Sequence, residues 1–244
     1  MTHETLLAQF FNHYLAGLGN SLLAMVGQKA VNPAEPWADF MVMQILVALI
    51  MIALLLLVRS TLSVDKPGKL QHVFELIHGF ISQTSEEQVG HHEGHKHVLL
   101  FETLFIFLLL ANLIGIIPGF MSPTQAIYVP LGCALVAFLY YNYVGLRKHP
   151  GTYLKHFLGP IPVLAPLMIP IEIISHIARP LSLTIRLFAN MYAGEQVTLV
   201  FLSLTYLIAP VLFMGLHVFV SVLQAYIFVL MTMIYVAGSV AEDH

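Results

Sequence analysis

The sequence predicts an all-α membrane protein with about five membrane helices and one amphipathic surface helix. Hydrophobic residues make up 58% of the 244 residues and charged residues 9%, whereas soluble domains are roughly 45–50% apolar and about 25% charged. The mean hydropathy is +0.84, and the apolar residues fall into long segments. So few charges cannot cover a water-facing surface, which excludes a soluble globular enzyme. The single cysteine, Cys133, excludes a disulfide scaffold and cysteine-ligated zinc.

Residues 1–36 are predicted to be an N-terminal tail outside the membrane, and residues 37–244 a single polytopic membrane domain. Thr5–Val26 is apolar but interrupted by polar residues, which favours an interfacial helix. It has no positively charged start and no clear cleavage site, so a signal peptide is not predicted.

Three spans of ordinary length follow. Trp37–Val58 would be about 33 Å long as a helix, enough for a hydrocarbon core of about 30 Å. Its flanking Trp37 and Arg59 suit the membrane interfaces. Val98–Ile117 and Ala126–Gly145 are the second and third predicted spans.

The polar stretch 60–96 carries one apolar stripe, which predicts an amphipathic helix on the membrane surface. The stripe consists of Leu70, Val73, Phe74, Ile77 and Ile81. A cluster at its end could bind a metal ion, but its spacing matches no specific site, so a solvated polar linker is the preferred interpretation. The cluster comprises His91, His92, Glu93, His95 and His97.

The last two apolar segments are too long for ordinary spans. Residues 166–206 and 210–240 would form helices of about 60 Å and about 46 Å. Since membrane helices tilt by about 20° on average, these two must kink or lie strongly inclined. Ala209–Pro210 is the predicted reversal between them, which makes them a slanted hairpin.

The positive-inside rule orients the chain with its N-terminus outside and its C-terminus in the cytoplasm. Seven basic residues fall on one side if the spans alternate, namely Arg59, Lys66, Lys69, Lys96, Arg147, Lys148 and Lys155. No basic face suited to nucleic acid is present.

The first long segment contains charges that a lipid-facing helix would exclude. An arginine at the bilayer centre costs at least about 2.5–3.5 kcal/mol, which makes such residues functional candidates. At 100° per residue, five polar side chains share one stripe: Glu172, His176, Arg179, Arg186 and Asn190. Glu195 projects to the face opposite Arg186.

Arg186 has no carboxylate at positions three or four residues away. Its counter-charge comes either from another subunit or from Glu102 or Glu172 elsewhere in the bundle. In the final helix, His217, Ser221 and Gln224 share one face. His217 is either a hydrogen-bonded core histidine or part of a proton relay with Glu195. With the reversal at Pro210 these two are not level.

Several stretches resemble subunit a of F-type ATP synthases, the stator channel of the membrane sector. The most specific runs from Pro180 to Glu195 and reads PLSLTIRLFANMYAGE. HVFVSVLQAYIF in the last helix, PGKLQ and ELIHGF in the surface helix, and ANLIGIIPG after the second span are also similar. Together the stretches cover residues 37–244, and the bacterial form fits best.

The resemblance implies a function. Arg186 would be the stator arginine that faces a carboxylate of the rotor c-ring. Further polar residues would line two aqueous half-channels, namely Asn190, Glu195, His217, Gln224 and Glu172, with His176, Arg179, Ser221 and Asn112 as secondary candidates. Some members carry an acid where this chain has Gly115, so no carboxylate role is carried over there.

The resemblance also implies partners and a location. The partners would be the c-ring, peripheral-stalk subunit b, the rest of the synthase and membrane lipid, in a bacterial inner membrane. No catalytic site, cofactor or metal is predicted in this chain. The rival functions are a self-contained secondary transporter whose Arg186 binds an anionic substrate, and a purely structural membrane subunit. Proton or sodium specificity, ring size and direction of rotation do not follow from this chain.

Overall fold

The computed structural model describes residues 5–25, 32–63, 67–117, 119–148, 165–204 and 208–240, and every regular element in these ranges is a helix. A one-turn 3-10 helix, Pro123–Gln125, precedes the fifth α-helix. The α-helices within the described ranges are α1 (Leu6–Met25), α2 (Asp39–Thr61), α3 (Lys69–Val89), α4 (His91–Ile114), α5 (Tyr128–Lys148), α6 (Ala165–Leu204) and α7 (Ile208–Val240).

Five of these helices are long and apolar enough to cross a membrane, as the sequence predicted. The qualifying segments are Asp39–Thr61, Glu93–Ile114, Tyr128–Lys148, Met168–Ser203 and Val211–Val240. The predicted amphipathic helix is also present, as α3. Its inclination and that of α6 and α7 in the bilayer remain predictions.

The core lies where α4, α5, α6 and α7 meet. Phe101, Leu108, Leu187 and Phe228 are completely buried there. Helix α2 packs at the edge of this bundle, where Val47 contacts the end of α4. Many of its other apolar side chains, among them Leu49, Leu56 and Leu57, face outward, as expected for a helix against lipid.

Helices α3 and α4 form a tight antiparallel hairpin. The chain turns at Gly90, whose φ of 101° is in the region that favours glycine. The contacts are symmetric about this turn: the Ser85 hydroxyl donates to the Gly94 carbonyl over 3.0 Å, and His78 contacts Glu102 twelve residues on either side. A Cβ on Gly94 would lie 2.9 Å from the Ser85 carbonyl oxygen, so glycine permits this approach.

The interpretation of residues 91–97 as a solvated linker is wrong, because they form the first turns of α4. Several of their polar groups are paired. Glu86 contacts His91 and His95 at 2.8 and 3.0 Å, and Glu93 contacts Lys96 and Lys148 at 3.0 and 3.5 Å. Among the described side chains, which exclude that of His92, no three potential ligands converge on a metal position.

Helix α1 folds back onto the start of α2, and the contact centres on Trp37. The Trp37 indole donates to the Leu15 carbonyl over 2.9 Å, and its backbone N–H donates to Asn12 over 2.9 Å. Gly19 lacks the side chain that would collide with the indole. Helix α1 is therefore fixed to the start of α2 by side-chain contacts.

Helices α6 and α7 are the predicted long pair, but the predicted reversal is wrong. Ala209 and Pro210 lie in the first turn of α7, which begins at Ile208. Proline is tolerated there because first-turn N–H groups have no acceptor within the helix. Residues 205–207, between the two helices, are outside the described part.

Candidate functional site

Because α7 already begins at Ile208, the register of the α6–α7 hairpin differs from the one that a reversal at Ala209–Pro210 would give. Glu195 lies nine residues before the end of α6 at Leu204, and His217 nine residues after the start of α7 at Ile208. The two residues are therefore level, and the sequence-based conclusion that they are offset is wrong. The stacked rings of Phe201 and Phe213, 4.1 Å apart, confirm this pairing nearer the connection.

Gly194 brings the two helices together at this level. A Cβ built on Gly194 would lie 3.6 Å from Cγ and from Nδ1 of His217, so the imidazole packs directly against the α6 backbone. His217 is only 6% exposed. A Cβ at position 194 would be in ordinary van der Waals contact with the ring, so a side chain longer than that of alanine would have to compete with it for this space.

Both titratable groups at this level have an unmatched polar atom. Nε2 of His217 and Oε2 of Glu195 are buried, and neither bonds to another described residue. Buried polar atoms without partners are rare in native proteins and call for a specific explanation. The two side chains are neighbours in height but do not form an ion pair with each other.

A cavity of about 230 Å³ opens between α6 and α7 beside His217. This volume is larger than a single water molecule needs. Its polar lining comes from Asn190 and His217, and its apolar lining includes Val197, Phe213 and Leu216. The cavity therefore connects His217 to the polar stripe of α6.

The predicted polar residues nearer the core bond across the two helices. Nδ2 of Asn190 donates to Oε1 of Gln224 over 2.6 Å. Gln224 is 1% exposed, and its own Nε2 is buried without a partner. The Ser221 hydroxyl contacts the Met191 sulfur at 3.9 Å. Asn190, Ser221 and Gln224 thus extend the polar contact surface that begins at His217.

Arg186 is partly exposed and forms no hydrogen bond or ion pair with any described residue. Neither sequence candidate for its local partner is used. Glu102 contacts His78 instead, and Glu172 is half-buried with no polar contact in the described part. The guanidinium is therefore a cation that the described chain does not neutralise.

The start of the stripe faces α5 and α7. The Arg179 guanidinium lies over the ring of Tyr235, with Cζ 5.4 Å from the ring centroid. Nε2 of His176 hydrogen-bonds Oδ1 of Asn142 over 2.8 Å. Of the predicted stripe, Arg179 and Asn190 thus contact α7 and His176 contacts α5.

Asn112 lies on α4, outside the α6–α7 contact surface, and bonds to the backbone of α7. Its Nδ2 donates to the Ser221 carbonyl over 3.2 Å, and its Oδ1 accepts from Thr124 over 2.8 Å. At Gly115 a Cβ would lie 2.8 Å from the Ser122 Cβ. Position 115 therefore has no room for a side chain unless the Ser122 backbone moves.

Sequence reasoning missed Gly194, Thr124 and Tyr235. Gly194 had a visible signal, because an interior helical glycine costs about 0.5–1 kcal/mol and often marks a close approach. Thr124 lies in a stretch interpreted only as a turn. Tyr235 carries no pattern that distinguishes it from a core aromatic residue.

Comparison with known proteins agrees with this geometry. The sequence profile of the ATP synthase A chain family matches residues 41–237. A protein of Solibacter usitatus (strain Ellin6076) named ATP synthase subunit a is 61% identical over 235 residues, covering 96% of this chain and 100% of that protein. Proteins of the same name from Koribacter versatilis (strain Ellin345) and Geotalea daltonii (strain FRC-32) are 46% and 41% identical, with both chains covered in full. The chain is a multi-pass membrane protein that belongs to the ATP synthase A chain family.

Proposed function

We propose that this chain is the proton-conducting stator subunit a of an F-type ATP synthase, in the inner membrane of a bacterium, with its N-terminus outside. The observation that carries the proposal is Arg186, a membrane-depth cation that the described chain leaves unpaired. Its counter-charge is a carboxylate of the rotor c-ring. A purely structural subunit has no use for such a charge, and the family makes a self-contained transporter the weaker alternative.

The outer half-channel runs along the level of Glu195 and His217. Their buried, unmatched Oε2 and Nε2 atoms and the neighbouring cavity support this assignment, because groups that relay protons must exchange partners with water. Asn190, Ser221 and Gln224 continue the polar surface from this level toward the depth of Arg186.

The inner half-channel lies on the opposite side of Arg186 along α6. Glu172, His176 and Arg179 precede Arg186 by seven to fourteen residues, or about 10–21 Å of helix. They are the titratable groups of this helix on the cytoplasmic side of Arg186. Arg186 thus stands between two polar regions and blocks direct leakage from one to the other.

The ring contacts the face of α6 and α7 that the bundle leaves open. Exposed apolar side chains surround Arg186 and Asn190 on α6, among them Leu181, Ile185 and Tyr192. A neutral ring carboxylate crosses the lipid, loses its proton near Arg186 because an opposite charge lowers the pKa of a carboxylic acid, and is protonated again from the outer channel. The driving force is about 2.3 kcal/mol per charge per 100 mV. Peripheral-stalk subunit b and lipid complete the surroundings.

The test replaces Arg186 by Lys and by Gln in the assembled synthase and measures ATP synthesis and ATP-driven proton pumping in membrane vesicles. Arg186→Gln abolishes both. Arg186→Lys keeps a charge but is severely impaired, because a buried lysine can release its proton and lacks the planar fork of arginine. Arg147→Gln, at the exposed end of α5, is the matched control and leaves both activities unchanged.

Two results would contradict the proposal. Near wild-type synthesis in Arg186→Gln vesicles with normal assembly would remove the role of this cation. Full activity in Arg186→Lys vesicles would show that net charge alone matters. Immunoblotting for the assembled complex separates either result from a failure to insert.

A further inference from the structure

Three polar side chains are fully buried where α4, the Pro123–Gln125 turn and α7 meet. Asn112, Ser122 and Thr124 are each 0% exposed. The apolar residues Ala111 and Val47 are also completely buried at this edge of the bundle. Polar groups in such a place are costly unless each has a partner, so their connections show what the cluster holds together.

The three side chains form one connected chain of contacts. The Ser122 hydroxyl lies 2.8 Å from the Ala111 carbonyl oxygen and 2.7 Å from the Thr124 hydroxyl. Thr124 donates to Oδ1 of Asn112 over 2.8 Å. This bond fixes the amide orientation of Asn112, so that its Nδ2 donates to the Ser221 carbonyl over 3.2 Å. The turn after α4 is thereby connected to the middle of α7.

The end of this chain of contacts is the polar face of α7. Ser221 lies four residues after His217 and three before Gln224, on the same face. A bond to the Ser221 carbonyl fixes both the height of α7 and its rotation about its own axis. Those two quantities decide whether His217 meets Gly194 and whether Gln224 meets Asn190.

We propose that Asn112, held in orientation by Thr124, is a positioning residue that sets the register of the polar face of α7 against α6. This inference rests on the proposed function, because the register matters only if protons pass between the two helices. Gly115 contributes to this set of contacts, because its missing side chain lets the Ser122 backbone reach the end of α4. Connected buried polar networks specify one arrangement where apolar packing tolerates several.

The test is Thr124→Val, which keeps the shape of the side chain and removes the donor to Asn112. Thr124→Ser, which keeps the hydroxyl, is the matched control. In assembled synthase, the proton flux per complex falls roughly three- to tenfold in Thr124→Val, and the pH dependence of the flux shifts. Thr124→Ser restores both to near wild-type values. Asn112→Leu reproduces the Thr124→Val profile.

Three outcomes would overturn the inference. The first is unchanged flux and pH profile in Thr124→Val. The second is an equal loss in Thr124→Ser. The third is reduced assembly with normal flux per complex, which would make the network merely structural. Arg186→Gln measured in parallel keeps the two proposals apart: if it abolishes flux while Thr124→Val does not change it, only the positioning role fails.

Discussion

The α3–α4 and α6–α7 hairpins both carry ionisable groups, and α4, α6 and α7 qualify as membrane spans, but the contacts that these groups make differ between the two hairpins. In the α3–α4 hairpin, Glu86, Glu93 and Glu102 each contact a histidine or lysine. In the α6–α7 hairpin, Arg186 and Glu195 contact no charged or polar partner among the described residues. The amino-acid types are similar, and the difference lies in what each helix faces.

Under the proposed function, this difference separates charges that stabilise the fold from charges that move protons. A charge at membrane depth costs several kcal/mol unless it is paired or faces water or protein. In α3–α4 local pairing offsets most of that cost, although Nε2 of His97 is buried without a described partner. In α6–α7 the described residues do not offset this cost, and we propose that water and a ring carboxylate do. Substitutions in the two hairpins should therefore fail in different ways.

The largest effect is expected at the level of Glu195 and His217, whose buried Oε2 and Nε2 atoms have no described partner. Glu195→Leu and His217→Leu each slow proton flux at least about tenfold, because each removes a group that we propose relays protons. Assembly is not prevented, because no described contact depends on Oε2 of Glu195 or Nε2 of His217. Proton pumping in vesicles, normalised to assembled complex, measures this. Gln196→Leu, the exposed neighbour on α6, is the control. Unchanged flux in both variants would count against the outer half-channel.

Substitutions in the α3–α4 hairpin should reduce stability and leave proton flux unchanged. His78→Leu leaves the mostly buried Glu102 carboxyl without its partner, which costs about 1–3 kcal/mol of stability, while flux per complex is unchanged. His78→Leu combined with Glu102→Leu recovers most of that loss because both polar groups are gone. Thermal dissociation of the purified complex measures both. A double variant no more stable than His78→Leu would show that this pair is not the structural element we infer.

A smaller effect is expected at Arg179, whose charge is held by the face of Tyr235. Tyr235→Leu should cost about 0.5–2 kcal/mol of complex stability, and Tyr235→Phe close to nothing, because phenylalanine keeps the aromatic face. In an Arg179→Gln background the difference between Leu and Phe should disappear. A difference that persists there would assign the effect to packing rather than to the cation.

The smallest effect is expected at Lys148, where α5 meets the ends of α4 and α7. Lys148 donates to the Val240 carbonyl over 3.3 Å and shares Glu93 with Lys96. Lys148→Met should reduce stability by only about 0.2–1 kcal/mol, since the pair is partly exposed and Glu93 keeps Lys96. Repeating the measurement in high salt should shrink the difference further. A larger, salt-independent loss would mean that the bond to Val240 dominates.

The sequence predicted the helices well where hydropathy alone decides their extent. The first span was predicted at Trp37–Val58 and lies at Asp39–Thr61, and the third at Ala126–Gly145 lies at Tyr128–Lys148. The second was predicted to begin at Val98, seven residues late. The polar stretch from His91 is helical because Glu86, on the other side of the turn, pairs with it, and such pairing is invisible to hydropathy.

The sequence and the resemblance named Arg186, Asn190, Glu195, His217 and Gln224 as candidates, and their role stays a prediction. The register in which the structure brings Glu195 and His217 level was not predicted. The alignment of these residues depends on where the chain reverses. Pro210 was misinterpreted as the reversal because proline is tolerated both in a turn and in the first turn of a helix. The bond from Asn112 to the Ser221 carbonyl joins positions 109 residues apart, a separation at which one sequence holds no usable signal.

The contact between α1 and Trp37 has a spectroscopic consequence. Trp37 is the only tryptophan among the 244 residues, and its indole is bonded to Leu15 and packed edge-on against Phe11 at 5.9 Å. Intrinsic tryptophan emission from the purified chain therefore originates at one place, the junction of the N-terminal helix with the first membrane helix. A red shift of that emission would report release of α1 while the rest of the bundle stays silent.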